Sequence, residues 1–237
     1  MPQKTKHFQT LPHGELVTIF PEVLSVKGTM KLFGVFRYSR NMTVLKNGTS
    51  LILVNPVRLS PEGEEALLAQ GSIDHILKIG SLHSVDIPYY MDTFSPKLWM
   101  LNNDKSLENY QADFFLNDHP VLPFLDLKVH VLEGSKIPES VLVLPSNGGV
   151  VLSCDSLVNM TADDEHANGL VRTLSKLLPK PTYIGPNWVK VAKPTKKSLT
   201  DILDFEFQHL VPAHGDPVLD TANVELERYF SMYKKWR

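Results

Sequence analysis

The order of strand and helix signals along the chain predicts an α/β protein. Three observations carry that prediction. The N-terminal part is dense in short β-type runs: Glu15 to Phe20, Lys31 to Tyr38, Met42 to Lys46 and Ser50 to Val54. A helix signal then separates that last run from another strand, Ile73 to Ile79, and a strand–helix–strand order implies parallel pairing. A second pair of strands, Ser140 to Leu144 and Val150 to Ser153, repeats the hairpin theme later in the chain.

Each element has a local reason. Asn47-Gly48 suits a type I′ hairpin turn, whose two central residues need positive φ. Asn55-Pro56 stops the next strand. Ser60 can cap the helix that follows, Pro61 suits its first position, and Glu62, Glu64 and Glu65 suit its positive end. Pro88 to Phe94 reads as a further helix. Asn147-Gly148 sits in the turn of the second hairpin, and that segment ends at Asp155. Asn55 lies eight residues after Asn47, and Asp155 eight after Asn147, which places the two polar residues at comparable strand ends and hints at internal duplication. A helix is expected from Asp163 to Leu178, with Leu170, Leu174, Leu177 and Leu178 on one face and Pro179 and Pro181 ending it. Others are expected from Ser198 to about Phe207 and from Asp220 to Arg237. No low-complexity linker divides the chain, so residues 1–237 are read as one domain.

Composition narrows the function classes. The chain has 237 residues, 43% hydrophobic and 21% charged, which is ordinary for a globular protein and enough to bury a sizeable core. Its net charge of −2 lacks the basic footprint of a nucleic-acid or anionic-membrane binder. The one basic cluster, Lys190 to Lys197, is interrupted by apolar residues and Pro194 and reads as a solvated loop. A single cysteine, Cys154, leaves no intramolecular disulfide and no cysteine-based zinc motif, and reads as a small buried apolar residue. The N-terminal residues lack the apolar core of a secretory signal, and no apolar run approaches the roughly 20 residues of a spanning helix. A cytoplasmic protein is expected, so the sequons at Asn41, Asn47 and Asn159 are taken as chance.

The most informative segment is Val211-Pro212-Ala213-His214-Gly215-Asp216-Pro217. It delivers a histidine from the end of an apolar run into a Gly/Pro turn. In open α/β folds, function collects at strand ends and the loops beyond them. The polar residues at such places are Asn55, His83 and Asp86 (in Gly80-Ser81-Leu82-His83-Ser84-Val85-Asp86), Asp155 and His214. Two imidazoles and two carboxylates form a reasonable ligand set for zinc or non-haem iron.

In this order and spacing the chain resembles the metallo-β-lactamase-fold superfamily, over roughly Val17 to Phe230. Ser153-Cys154-Asp155-Ser156-Leu157 is similar to the family's Gly-Asp segment, and the His214 turn is similar to its C-terminal His-Gly-x-Pro segment. The resemblance implies a four-layer αββα sandwich of two mixed sheets with helices on the outer faces. It also implies a metal centre, to which His83, Asp86, Asp155 and His214 would contribute. The departures are equally specific. Asn55 stands where the family's first Asp belongs, Ser81 replaces the first histidine of the His-rich motif, Val85 its aspartate and Asp86 its last histidine. Glu133-Gly134-Ser135 occupies the Pro-Gly-His region. A dinuclear centre of the usual form cannot be assembled. The reading that follows is a mononuclear metal-dependent hydrolase, with one zinc or iron ion, acting on an ester, lactone, thioester or phosphoester of a small molecule. Its alternative is a metal-free, non-catalytic descendant that binds a ligand or partner. Each site residue also has a structural reading: His83 as a hydrogen-bonded loop histidine, Asp86 as the cap of the helix near Pro88, Asp155 as a loop brace, and His214 as its hydrogen-bond partner. Tyr89 and Tyr90 are read as packing aromatics rather than substrate contacts. His75, His119, His130 and His166 match no motif.

Overall fold

A computed structural model describes residues 7–32, 35–160, 164, 166–176 and 183–233. Seven strands form the first sheet, neighbours in chain order: β1 (Val17–Phe20), β2 (Val23–Leu32), β3 (Phe36–Asn47), β4 (Ser50–Val54), β5 (Ser72–Lys78), β6 (Lys97–Met100) and β7 (Phe114–Phe115). Pairing is antiparallel from β1 to β4 and parallel from β4 to β7. The second sheet is built from β8 (Lys128–Val131), β9 (Ser140–Leu144), β10 (Val150–Ser153) and β11 (His209–Pro212), in the order β11-β10-β9-β8. Only β10 and β11 pair in parallel.

Three apolar cores separate four layers. Between the sheets, Leu45, Ile52, Val54 and Leu77 of the first pack with Leu142, Leu144, Val150, Leu152 and Val211 of the second. The alternate residues of the same strands point outward. Leu51, Leu53 and Ile76 meet Leu67 of helix α1 (Pro61–Leu68) and Ile87 and Tyr90 of α2 (Ile87–Phe94). On the far side, Val141, Val143, Val151 and Leu210 meet Trp188, Leu199, Leu226 and Phe230. These belong to α4 (Pro186–Ala192), α5 (Lys196–Thr200) and α6 (Ala222–Met232), while α3 (Gly169–Ser175) follows a segment tied to β3 by Asn168 N–H donating to the Arg37 carbonyl. The central strands are apolar on successive residues because helices and the opposite sheet cover both of their faces. The expected α/β sandwich of two mixed sheets is the observed one.

Several elements follow their local chemistry. Ser60 Oγ accepts from Gly63 N–H at 3.2 Å and caps α1 behind Pro61. β4 and β5 pair in parallel across that helix, and Asn147 and Gly148 both take positive φ in the second hairpin turn. Other expectations are corrected. The Lys31 to Tyr38 run is not one strand: it covers the end of β2 and the start of β3, antiparallel with Leu32 opposite Phe36. The tight turn of the first hairpin lies one residue later than expected. Asn47 pairs with Ser50, and Gly48 at φ 64° is the left-handed residue, so glycine comes first in the turn and Asn47 stays in the strand. Lys190 to Lys197 is not a loop throughout, because Lys190 lies in α4, whose Trp188 and Ala192 are buried. The helix expected from Ser198 begins at Lys196, capped by Thr195, and gives way after Thr200 to a 3-10 turn, with Phe205 extended. The helix expected from Asp163 is described only as α3, with Leu170 exposed; residues 163, 177–179 and 181 lie outside the described ones, and of the helix expected from Asp220 to Arg237, α6 covers Ala222–Met232 and residues 234–237 lie outside the described ones. Among the described residues no helix is long and apolar enough to cross a membrane.

Candidate functional site

The site forms where both sheets present the C-terminal ends of their parallel strands. β4 ends in Asn55, β5 in the loop 80–86, β10 in Cys154-Asp155, and β11 in the His214 turn. β3 extends beyond the end of β4, since Thr43 is the last residue of β3 to face it. The edge this leaves open is covered by the turn after β11. Asn41 N–H donates to the Ala213 carbonyl at 2.7 Å, and Asn41 Nδ2 donates to the Pro212 and Gly215 carbonyls. His214 Nδ1 donates to the Ser39 carbonyl at 2.8 Å. That bond fixes the ring so that Nε2 points away from the strand, as a backbone carbonyl does for a metal-binding imidazole.

Three predicted residues come together here. His83 Nε2 lies 3.1 Å from His214 Nε2 and 3.4 Å from Asp155 Oδ2; His214 Nε2 lies 3.3 Å from Asp155 Oδ1. The side chains are 4%, 13% and 17% exposed, so the cluster is largely buried, with the Asp155 carboxylate and the His214 ring reaching solvent. The Cys154 thiol is 3.4 Å from Asp155 Oδ2, and its sulfur shares a ligand-sized space with His83 and Asp155. Donor atoms bound tetrahedrally at roughly 2.0–2.2 Å sit about 3.3–3.6 Å apart. The observed spacings of 3.1–3.4 Å, with one Asp155 oxygen toward each imidazole, are close to that edge length, and the donor atoms of His83, Cys154 and Asp155 lie close enough together to hold a metal ion.

Asp86 goes elsewhere. It occupies the N-cap position of α2 but makes no side-chain cap bond. Its Oδ2 accepts from the buried Arg40 guanidinium and, at 2.7 Å, from Arg58 N–H. It therefore contacts neither His83, Asp155 nor His214, and the expected four-residue ligand set contracts to three, with Cys154 beside them. The two sequence-based readings of Asp86, ligand and cap, both give way to ion pairing, because the extended β3 brings a guanidinium to it.

Burial pushes the His83 imidazole down to about 3; the Asp155 charge opposes this, and the charges of His214, Arg40 and Lys78 add to it. His83 is therefore neutral at pH 7. Burial works to raise Asp155, but the two imidazoles outweigh it and hold the carboxyl well below the ordinary range. Burial likewise opposes protonation of His214, yet the Asp155 contact and the Ser39 carbonyl raise its pKa. The Cys154 thiol is pushed up by burial and by the Asp155 and Glu139 charges. Glu139, raised to about 8 by burial and by Asp155, accepts from Ser156 N–H at 2.6 Å and braces the Asp155 loop from behind.

The surroundings position these groups. The ammonium of Lys78, 1% exposed, donates to the Gly80 carbonyl at 2.8 Å and to Asp104 Oδ2 at 2.5 Å, anchoring the start of the His83 loop. Asn55, at φ 53°, donates to the Ser153 carbonyl at 3.2 Å, a structural role that links the two sheets. A Cβ on Gly134 would meet Thr195 at the start of α5, Ser135 Oγ donates to the Ile137 carbonyl, and Glu133 is not among the described residues whose donor atoms gather at the cluster. Tyr90 is buried with its hydroxyl on the Val57 carbonyl, and Tyr89 packs under Arg58 and bonds Glu64, so both are packing aromatics. Sequence reasoning missed Tyr38 and Arg40, because Ser39-Arg40-Asn41 is too polar to read as a strand. Tyr38 stands with its ring 6.0 Å from that of His214, its pKa raised by burial and by Asp155. Cys154 had one available signal, its place next to Asp155.

Comparison with solved structures agrees with this architecture. The metallo-β-lactamase of Pontibacter korlensis superposes with a TM-score of 0.61 at 11% identity, over 92% of this chain and 99% of that one. FIM-1 of Pseudomonas aeruginosa, in its mono-zinc form, gives 0.60 at 13% identity, over 94% and 96%. The DIM-1 metallo-β-lactamase gives 0.61 at 13% identity, over 94% and 98%. No protein-family model and no curated protein matches the chain in sequence. The chain has the metallo-β-lactamase fold, carried by a sequence far diverged from these neighbours.

Proposed function

We propose that the protein is a mononuclear metal-dependent hydrolase acting on an ester, lactone, thioester or phosphoester. The observation that carries this reading is the spacing of His83 Nε2, His214 Nε2 and the two Asp155 oxygens, 3.1–3.4 Å apart at neighbouring strand ends. Those three residues would hold one zinc or iron ion, with Cys154 beside them. When bound, such an ion supplies Lewis acidity toward a carbonyl or phosphoryl oxygen and lowers the pKa of water to about 7. FIM-1, a protein of the same fold, exists in a mono-zinc form, which supports a one-ion centre as sufficient for the scaffold. The chain's own groups support the reading in three ways: Asp155 is ionised, His83 is neutral, and the Ser39 carbonyl fixes the ring of His214.

A second reading, a non-catalytic binding module, is favoured by one observation: Asp86 is engaged by Arg40, and no other carboxylate replaces it in the cluster among the described residues. Metal analysis of protein purified without chelator separates the two. The hydrolase reading expects about one zinc or iron per chain, absent from a His214→Ala, Asp155→Ala double variant. It also expects metal-dependent turnover of at least one of the four ester classes. Metal-free protein that ignores added zinc would favour the binding module; bound metal without turnover would leave a metal-binding protein that is not a hydrolase.

A further inference from the structure

Among the described residues, Arg40 is a buried cation beside the cluster whose hydrogen-bonding capacity is largely unspent. Its side chain is 6% exposed, at the depth of the imidazoles. One nitrogen, Nη2, donates to Asp86. Nε is buried without a partner, and Nη1 makes no hydrogen bond among the described residues. A guanidinium with free donors at such a buried position favours an oxyanion, because leaving buried donors unmet is costly. Its charge is felt by both His83 and His214. Tyr38, two residues earlier, lies on the same face of β3, and its hydroxyl makes no hydrogen bond among the described residues. The Asp86 and Asp155 carboxylates face the same region and oppose an anion, so binding there requires the free guanidinium edge.

We propose that Arg40 is the anion-recognition residue of this site, binding a phosphate or carboxylate oxygen of the substrate, with the Tyr38 hydroxyl as a second donor. This rests on the hydrolase reading for its meaning and narrows the substrate to an ester, lactone or thioester bearing a carboxylate, or to a phosphoester. Neither residue belongs to the metal-ligand set, so the binding is measurable without metal.

Calorimetric titration of chelator-treated protein with inorganic phosphate, and separately with acetate, at low ionic strength tests it. Wild type binds at least one of them, and preference between the two tells a phosphoester from a carboxylate-bearing substrate. The Arg40→Met, Asp86→Asn double variant, which removes both charges of the pair, binds about tenfold more weakly or worse. Tyr38→Phe weakens binding by a smaller factor, and Asp86→Asn alone tightens it by freeing the guanidinium charge. Absence of phosphate and acetate binding by metal-free wild type overturns the proposal, as does equal affinity in the double variant. If that variant does not fold, Tyr38→Phe and Asp86→Asn decide: opposite shifts support the proposal, and no shift in either overturns it. Zinc content, measured in parallel, keeps the two readings apart. Zinc uptake without anion binding overturns only this proposal, and anion binding without zinc uptake overturns only the mononuclear centre.

Discussion

His83 and Asp86 lie three residues apart, yet their surroundings assign them opposite tasks. His83 presents Nε2 to Asp155 and His214, whereas Asp86 meets a guanidinium and an amide. Single substitutions separate the two. His83→Ala and His214→Ala should each lower zinc affinity by more than the roughly 10- to 100-fold that loss of an outer-shell partner costs, or abolish uptake, since each removes one of the three proposed donors. Asp86→Asn should leave zinc stoichiometry and affinity little changed, because the amide oxygen can still accept from Arg58 N–H. Competition with a chromophoric chelator reads both; loss of zinc in Asp86→Asn would restore Asp86 to the ligand set. The signals for His83, Asp155 and His214 were present in the sequence because each sits in a short motif. Arg40 carried no such signal, since its partner is 46 residues away and its own strand segment is polar.

At the scale of elements, two glycines let the site loops approach each other. A Cβ on Gly185 would stand 2.0 Å from the Asp155 carbonyl oxygen, and one on Gly215 would stand 1.7 Å from that of Asn159, in a residue already at φ 88°. Gly185→Ala must therefore push back the backbone that carries Asp155, and Gly215→Ala the turn that carries His214. Each should cost about 1–3 kcal/mol in urea unfolding and weaken zinc binding. A stability loss with unchanged zinc affinity would mean that the loops hold the ligands independently of this packing. The strand signals found β4, β9 and β10 because both of their faces are buried and they read as apolar runs, and β5 through Ile73, Ile76 and Leu77, although Ser72 and Asp74 are exposed. They missed the division between β2 and β3 because the apolar pattern continues across the reversal, and they missed the overhang of β3 because its partner there is a distant turn.

For the whole molecule, stability should respond to two linked equilibria. Metal binding only to the folded chain should stabilise it by about 2.7 kcal/mol at a hundredfold excess over Kd. For a chain of this size that is roughly 2–4 °C per kcal/mol, read as a rise in Tm with zinc and its absence in His214→Ala. The buried Lys78–Asp104 pair sets a pH dependence. Burial alone would raise Asp104, but the Lys78 charge holds it below its ordinary 3.8. Its contribution is thus fully present above that value and is lost as pH falls through the lowered folded-state value. Asp104→Asn should cost about 3–5 kcal/mol at neutral pH by stranding a buried ammonium. Because Lys78 is itself lowered by burial, with Asp104 opposing, the variant should regain stability toward alkaline pH as the amine loses its proton. Chemical denaturation of both proteins across pH checks this; a variant as stable as wild type at pH 7 would refute it.

What the sequence determined by itself was the α/β class, the succession of strands and helices, and three polar residues at strand ends. These are written locally, in apolar periodicity, in turn residues and in short motifs whose parts are neighbours in the chain. Only the tertiary structure decided which of those residues meet. The contact between His83 and His214 spans 131 residues, and the bond between His214 and Ser39 spans 175. It also decided that Asp86 belongs to Arg40, and that Tyr38 and Cys154 stand beside the cluster. The physical reason is that strand formation depends on adjacent residues, whereas ligand geometry depends on how far one strand outruns its neighbour and which turn then covers the exposed edge.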